Sequence, residues 1–404
     1  MRKGERIVVI GGGQAAMSFA ARARALNGDV AITMFGEEPT LPYQRPPLSK
    51  KYLSGEMPLD RLLLRDHAWF EGHDVECRVG RVEGIDRVAG RVSVNGATEP
   101  YDALFLATGS RARTLPAEIG GDLGNVFTMR TLADADALAP GLRNGGRMVV
   151  VGGGYIGLEA AAVARTLGLE VVLIEAAQRI LGRVASPMTA DYFRDLHRDR
   201  GVRVIEDTGL VQLDGRDGVL TGASLADGER IEADVAVVGI GIAPNVEIAE
   251  AAGLVIDNGI AVDSHCRTSD PNVLAAGDCA SFPFRGERVR LESVPNAIHQ
   301  AETAADNLLG EPTSYEAKPW FWSDQYDVKL QIGGLNAGYE RTVRRPGRRE
   351  GAQSVWYYRG DTLLAVDAMN DPPAYMMGRK IVEAGGGLPP EAAADPAVNL
   401  KGYA

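Results

Sequence analysis

Cysteine is scarce: the chain has three in 404 residues, Cys77, Cys266 and Cys279. None are spaced as a Cys-x-x-Cys pair or a metal-ligand set, so neither a redox dithiol nor a bound metal is expected. So few and such scattered thiols suit a reducing compartment, and a cytoplasmic location is expected. No apolar run of about 18 or more residues without charge occurs, so no membrane span is expected. The first residues, Met1 to Arg6, lead directly into an apolar strand, which leaves no room for a cleavable signal. Positive charge is in deficit, 43 Lys and Arg against 54 Asp and Glu, net −11. That balance argues against bulk attraction to nucleic acid or to an anionic membrane. The length suggests two or three domains and says nothing about oligomeric state.

Glycine is plentiful, 49 residues, and two clusters of it follow β-branched runs. Ile7-Val8-Val9-Ile10 leads into Gly11-x-Gly13-x-x-Ala16, with Ala15 and Ala16 opening a helix expected to reach about Leu26. Residues 147–151 lead into Gly152-x-Gly154-x-x-Gly157, followed by an Ala-rich helix ending near Leu167. Each reads as strand, tight turn and helix. The first glycine permits the turn, the second lets a pyrophosphate approach the backbone, and the third position lets helix and strand pack closely. Two such units imply two dinucleotides in one molecule and electron transfer between them. About 20 residues beyond each motif stands an acid placed to accept from a ribose hydroxyl. In the first unit it is Glu37, with solvation of a loop carboxylate beside Glu38 as the plain alternative. In the second it is Glu175, whose charge favours NAD over a 2′-phosphorylated dinucleotide, with Arg179 and Arg183 nearby.

Between these landmarks, residues 41–50 (LPYQRPPLSK) are too proline-rich for an element interior and present Arg45 and Lys50 on a rigid loop. A lysine over an electron-accepting ring would stabilise the charge that appears on reduction. Residues 103–109 read as a buried strand with its carboxyl end toward a ligand. Residues 272–278 form a further strand without a new fingerprint, so the first domain resumes after the second is inserted. Asp278, expected at a strand end before a helix, can bind a polyol hydroxyl, and Ser293 opens a helix to about Leu309. From Pro319 the chain turns aromatic, with strands near Leu330 and Val355 and a hairpin at Arg359-Gly360-Asp361. Arg341, Arg344, Arg345, Arg348 and Arg349 are expected in one solvated turn region, with docking of an acidic protein as the sharper alternative, and the tail from Glu391 is expected to be loosely held. The expected architecture is α/β: two Rossmann-like dinucleotide-binding domains, residues 1–109 with 243–316 and residues 110–242, plus a small C-terminal α/β domain, 317–404.

Taken together, the loop at 41–50, Ala107-Thr108-Gly109, the stretch from Gly152 to Glu159, residues 268–271 (TSDP), 277–280 (GDCA), 292–297 (ESVPNA) and 320–325 (WFWSDQ) resemble the FAD-dependent NADH–ferredoxin reductases of bacterial oxygenase systems, within the glutathione-reductase-like flavoproteins. The resemblance spans nearly the whole chain. It implies FAD in the first domain along Gly11, Gly13, Ala15, Ala16, Glu37, Arg45, Lys50, Val82, Ala107, Arg130, Asp278 and Val294, with Trp322 near the flavin. It implies NADH in the second along Gly152, Gly154, Tyr155, Ile156, Gly157, Glu159, Glu175, Arg183 and Gly241. Lys50 and Glu159 match a pair beside the flavin, and Tyr155 matches a tyrosine covering the nicotinamide pocket; these three are the expected catalytic residues. The implied reaction carries electrons from NADH through FAD to a [2Fe–2S] ferredoxin, serving a cytochrome P450 or a ring-hydroxylating dioxygenase. Two alternatives stay open: a rubredoxin-type reductase, and an NADH-binding flavoprotein of the apoptosis-inducing-factor type with a mainly non-catalytic role. Cys279 reads as a packed core residue.

Overall fold

The computed structural model describes residues 4–403. It gathers the chain into two compact units, one from Met1–Arg45, Pro58–Arg111 and Ala243–Pro319, the other from Pro46–Met57, Ala112–Ile242 and Trp320–Ala404.

In the first unit five parallel strands stand in the order Val273–Ala275, Ala103–Leu106, Arg6–Ile10, Ala31–Gly36 and Val75–Val79. Read from the Val75–Val79 edge and numbered along the chain, this is the 3-2-1-4-5 order of a doubly wound sheet, completed by a strand from far downstream. The central strand is apolar without alternation because both of its faces are covered: Val8 and Val9 are 2% and 0% exposed. Phe19, from the helix Gln14–Leu26, stacks on Phe105 of the sheet with ring centroids 3.9 Å apart. That helix packs on Val294–Leu309, and both bury alanines, Ala16, Ala20 and Ala23 against Ala297, Ala301 and Ala304. Small side chains permit the close approach. Ser293 starts the second helix by accepting from the Asn296 N–H.

The second unit repeats the plan. Its parallel sheet runs Val202–Ile205, Glu170–Ile174, Arg147–Val151, Val235–Val238 and Val126–Phe127. A capping box between Thr131 and Asp134 opens the helix Leu132–Arg143. The same unit holds an antiparallel sheet ordered Trp320–Gln325, Val328–Gly334, Thr362–Met369, Gln353–Arg359 and Arg341–Pro346, backed by the helix Pro372–Glu383. The Arg359-Gly360-Asp361 turn joins two of these strands as expected, with Gly360 at φ +53°.

Three expectations need correction. Asp278 precedes a strand, Ala280–Phe284, not a helix; the left-handed turn at Gly277, φ +83°, redirects the chain into it. Arg341, Arg344 and Arg345 lie on the strand Arg341–Pro346, not in a turn, because the segment pairs along its length with Gln353–Arg359. The tail is held firmly: residues Pro390–Ala394 are helical, and Ala393 and Leu400 are buried. Arg345 explains both facts. It is 8% exposed, and its guanidinium donates to the carbonyl oxygens of Ala392, Ala393, Asp395, Pro396 and Val398 at 2.6 to 3.2 Å.

Replacing this guanidinium, Arg345→Leu, leaves those carbonyls without their donor and is expected to cost about 2–4 kcal/mol. Denaturant unfolding should report the loss, and limited proteolysis should cut first after residue 389. An unchanged unfolding midpoint with a protected tail would refute the anchoring role.

Candidate functional site

Each glycine turn builds a cradle by the same steric logic. In the first unit Gly11 has φ +134°, and a Cβ there would fall 2.1 Å from the Ala107 carbonyl oxygen. At Gly13 a Cβ would meet nothing within 4 Å. The helix after it has no side-chain cap, so its first N–H groups stand at the open turn. In the second unit a Cβ at Gly152, φ +107°, would lie 2.5 Å from the Gly239 oxygen, and one at Gly157 would lie 2.1 Å from the Gly152 oxygen. Gly154 has only that Gly239 oxygen, 4.0 Å away, and again caps a helix, Tyr155–Thr166, without a side-chain bond. The positions that touch protein are forced to be glycine, and the middle glycines leave room beside the backbone for an anionic group.

Around the first cradle, Arg45 donates to Glu38 Oε1 at 2.7 Å and to the Tyr43 hydroxyl, which donates to Glu38 Oε2. Glu38 is thus the acid tied to the proline-rich loop. Glu37 stays at the strand end, mostly exposed, 3.5 Å from Arg81. Asp278 accepts from Ser110 Oγ at 2.8 Å. Ala15, Ala16, Val82 and Ala107 line the unit's core, and Val294 begins the helix that Ser293 caps. Lys50, Arg130 and Trp322, also expected at FAD, belong to the second unit. Arg130 gives its N–H to Asp134, and Trp322 packs between Trp320 and Phe321.

In the second cradle Glu175 Oε2 accepts from the Gly153 N–H at 2.7 Å and Oε1 from the Ala177 N–H at 2.8 Å. The acid is thereby fixed at the end of its strand, with lone pairs left for a hydroxyl. Arg183 lies next to Gly241, where a Cβ would sit 3.4 Å from its guanidinium. Glu159, one turn into the helix, is 4% exposed. Its carboxylate pairs with Lys50 Nζ at 2.7 Å and accepts from Ser49 Oγ at 2.6 Å and Ser323 Oγ at 2.7 Å. A 3-10 turn at Pro46–Ser49 delivers Ser49 and Lys50, and Lys50 also donates to the Pro46 oxygen. Tyr155 sets its ring 5.1 Å from Phe321 and buries its hydroxyl without a hydrogen-bond partner among the described residues.

A further polar group in this unit was missing from the sequence reading. Asp367, 0% exposed, accepts from the Thr189 hydroxyl at 2.8 Å and from the Tyr357 hydroxyl. Its other oxygen, Oδ1, has no partner among the described residues. Burial pushes its carboxyl up to about 6, and Asp367 and Tyr357 both raise Tyr155, whose own burial already holds its phenol well above the ordinary value. The signal was present: one acid inside an otherwise apolar strand, residues 363–369 (LLAVDAM).

Burial pushes all three thiols up, including the partly exposed Cys77. Cys266 and Cys279 are both 0% exposed.

A family model described as "Pyridine nucleotide-disulphide oxidoreductase" matches residues 5–301, and one described as "Reductase C-terminal" matches residues 320–404. Rhodocoxin reductase of Rhodococcus erythropolis is 43% identical over 399 residues, covering 98% of this chain and 93% of the relative. The ferredoxin–NAD(+) reductase component of the anthranilate 1,2-dioxygenase system of Burkholderia cepacia is 42% identical over 404 residues, covering 98% of each. Among solved structures, the covalent putidaredoxin reductase–putidaredoxin complex matches with a TM-score of 0.96 at 37% identity, over 100% of this chain and 98% of that one.

Asp367 generates a pH prediction. Its native value of about 6 lies above the ordinary 3.8, so its contribution to stability is full below about pH 4 and lost as the pH rises through 6. The loss amounts to roughly 3 kcal/mol. Asp367→Asn should flatten that part of the profile in denaturant unfolding measured from pH 4 to 8. The same slope in both proteins would show that Asp367 does not titrate in this way.

Proposed function

The chain belongs to the pyridine nucleotide-disulphide oxidoreductase family, and on that premise we propose that it is an FAD-containing reductase that passes electrons from NADH to a [2Fe–2S] ferredoxin of a cytochrome P450 or ring-hydroxylating dioxygenase system. The observation that carries the reading is the pair of like-built cradles, each with a glycine forced by backbone contact and a middle glycine left open. Two dinucleotides fit them. The free thiols set the chain apart from disulphide-reducing chemistry, because no dithiol stands ready to relay electrons.

FAD belongs to residues 1–109 and 243–316, NADH to 110–242, and residues 317–404 form the face toward the carrier. Bound together, the two cofactors supply hydride transfer followed by release of single electrons. The protein's part is to bind and to place charge. Helix N-termini at Gly13 and Gly154 hold the pyrophosphates, Glu37 and Glu175 accept from ribose hydroxyls, and Arg45 and Asp278 fix the rest of the flavin chain. Lys50 would supply an ammonium to offset the negative charge that a flavin gains on reduction, and Glu159 holds that lysine in place. Tyr155 covers the nicotinamide pocket. Among the described residues no helix is long and apolar enough to cross a membrane, and the cytoplasm is the proposed location.

The test is spectroscopic. Purified protein should be yellow, should bleach rapidly with NADH and slowly with NADPH, and should reduce cytochrome c only when a [2Fe–2S] ferredoxin is added. Glu175→Ala should erode the preference for NADH at least tenfold. Turnover with rubredoxin in place of ferredoxin would move the rubredoxin reading ahead, and a long-lived NADH complex without carrier turnover would favour a binding role. Colourless protein that FAD cannot reconstitute would refute the proposal.

A further inference from the structure

Glu159 is the inner end of a longer hydrogen-bonded chain that lies wholly within the second unit. Ser323 Oγ, which donates to Glu159 Oε1, accepts from Gln325 Nε2 at 3.2 Å. Gln325 Oε1 lies 2.9 Å from His197 Nε2, and His197 Nδ1 lies 3.3 Å from the Tyr326 hydroxyl. Ser323, Gln325 and His197 are each 0% exposed.

The direction of every bond follows from the carboxylate. A carboxylate only accepts, so Ser323 directs its one proton to Glu159 and offers only lone pairs to Gln325. Gln325 must then turn its N–H to Ser323 and its carbonyl oxygen to His197. That oxygen also only accepts, so His197 is the Nε2–H tautomer, and its bare Nδ1 accepts from Tyr326. All donors point inward, toward Glu159. Burial pushes the His197 imidazolium down to about 4, which leaves the ring neutral near pH 7 with the single N–H the chain requires. Burial likewise raises the Tyr326 phenol to about 12, so it keeps its proton.

The outer end is built as deliberately as the inner. Tyr326 adopts φ +54°, a left-handed conformation rare for an aromatic residue, in the turn after Trp320–Gln325. The Arg200 guanidinium lies over its ring, 5.1 Å from the centroid, and pairs with Asp327. The chain thus joins the helix Pro187–Asp199, the strand Trp320–Gln325 and the helix of Glu159.

We propose that His197 and Gln325 are positioning residues for the Glu159–Lys50 pair: through Ser323 they orient Glu159 so that Oε2 faces Lys50 and Ser49, which fixes where the Lys50 ammonium stands. This rests on the reading of Lys50 and Glu159 as the pair that faces the flavin. Fully made hydrogen-bond chains polarise one another, and this one points in a single direction toward a carboxylate. Reversing one member should therefore be felt at Glu159 without any change of volume. Gln325→Glu does this, since an acceptor-only side chain at 325 draws the Ser323 proton away from Glu159. His197→Phe removes the donor to Gln325, and His197→Gln restores one.

The experiment compares these variants in the holoprotein with Glu159→Gln and with the double variant His197→Phe/Glu159→Gln. Stopped-flow spectroscopy gives the limiting rate of flavin reduction by NADH and the NADH dissociation constant. A dye-coupled redox titration gives the FAD midpoint potential, and imidazole 15N resonances give the His197 tautomer. Gln325→Glu and His197→Phe should each slow flavin reduction about five- to tenfold, with NADH binding changed less than twofold. The midpoint potential of His197→Phe should shift from that of the parent, and the shift should vanish once Glu159 is already Gln. His197→Gln should stay within about twofold of the parent, and His197→Phe should add nothing once Glu159 is already Gln. The 15N spectrum should show the Nε2–H form whatever the catalytic outcome. Additive effects in the double variant, or the Nδ1–H tautomer, would overturn the positioning role and leave the function standing. A Glu159→Gln variant with unchanged rate and potential would remove the reading of the site itself, and the positioning role with it.

Discussion

A carboxylate taken almost entirely out of water must be met by donors, or it costs several kcal/mol. Glu159 meets that requirement with Lys50, Ser49 and Ser323, drawn from two segments far from it in the chain. The constraint accounts for the way the second unit is assembled. The proline-rich segment 46–57 leaves its sequence neighbours and joins residues 112–242 because its serine and lysine are bound there, and Tyr52 reinforces the join by donating to Asp136 at 2.7 Å. The strand Trp320–Gln325 is bound to the same unit by the opposite oxygen of the same carboxylate. One buried acid thus ties both segments to the helix that follows the second glycine turn.

The glycine turns are a steric matter of a different kind. Gly11, Gly152 and Gly157 are excluded from bearing a side chain by carbonyl oxygens 2.1 to 2.5 Å from where the Cβ would stand. Those contacts press strand, turn and helix together. Their consequence is an uncapped helix start beside a middle glycine with room around it, the geometry that favours a phosphate. Ala16 serves in the first unit where Gly157 serves in the second, so the third residue of the first helix carries a methyl buried at 0% exposure and that of the second carries no side chain.

Much of this was legible. Both cradles, the discontinuous first unit, the helix after Ser293 and the Arg359-Gly360-Asp361 turn follow from local rules of period, capping and turn chemistry. What escaped was non-local. Arg345 reads as one of five arginines in a polar stretch; only pairing of 341–346 with 353–359 puts it beneath the tail, and only then does a tail rich in alanine and proline have a donor for its carbonyls. Asp367 and His197 escaped for the same reason. A buried polar residue gives little away in sequence until the folded chain supplies its partners, and one of the two that Asp367 has, Thr189, lies 178 residues upstream.

The cost of these polar groups is itself informative. Well-packed apolar residues in place of buried ionic and hydrogen-bonded clusters often leave stability unchanged or raise it. The second unit nonetheless carries two clusters, Glu159 with its inward-pointing donors and Asp367 with Tyr357 and Thr189, and Tyr155 couples electrostatically to both. Around them Trp356 and Val366 pack in an apolar core, with the Trp356 indole N–H donating to Ser354. Part of this polar cost falls at the helix that opens at the second glycine turn, where Tyr155 and Glu159 stand. A fold that needed only stability would have no reason to place it there; a site that must hold one ammonium group and one tyrosine ring in fixed positions would.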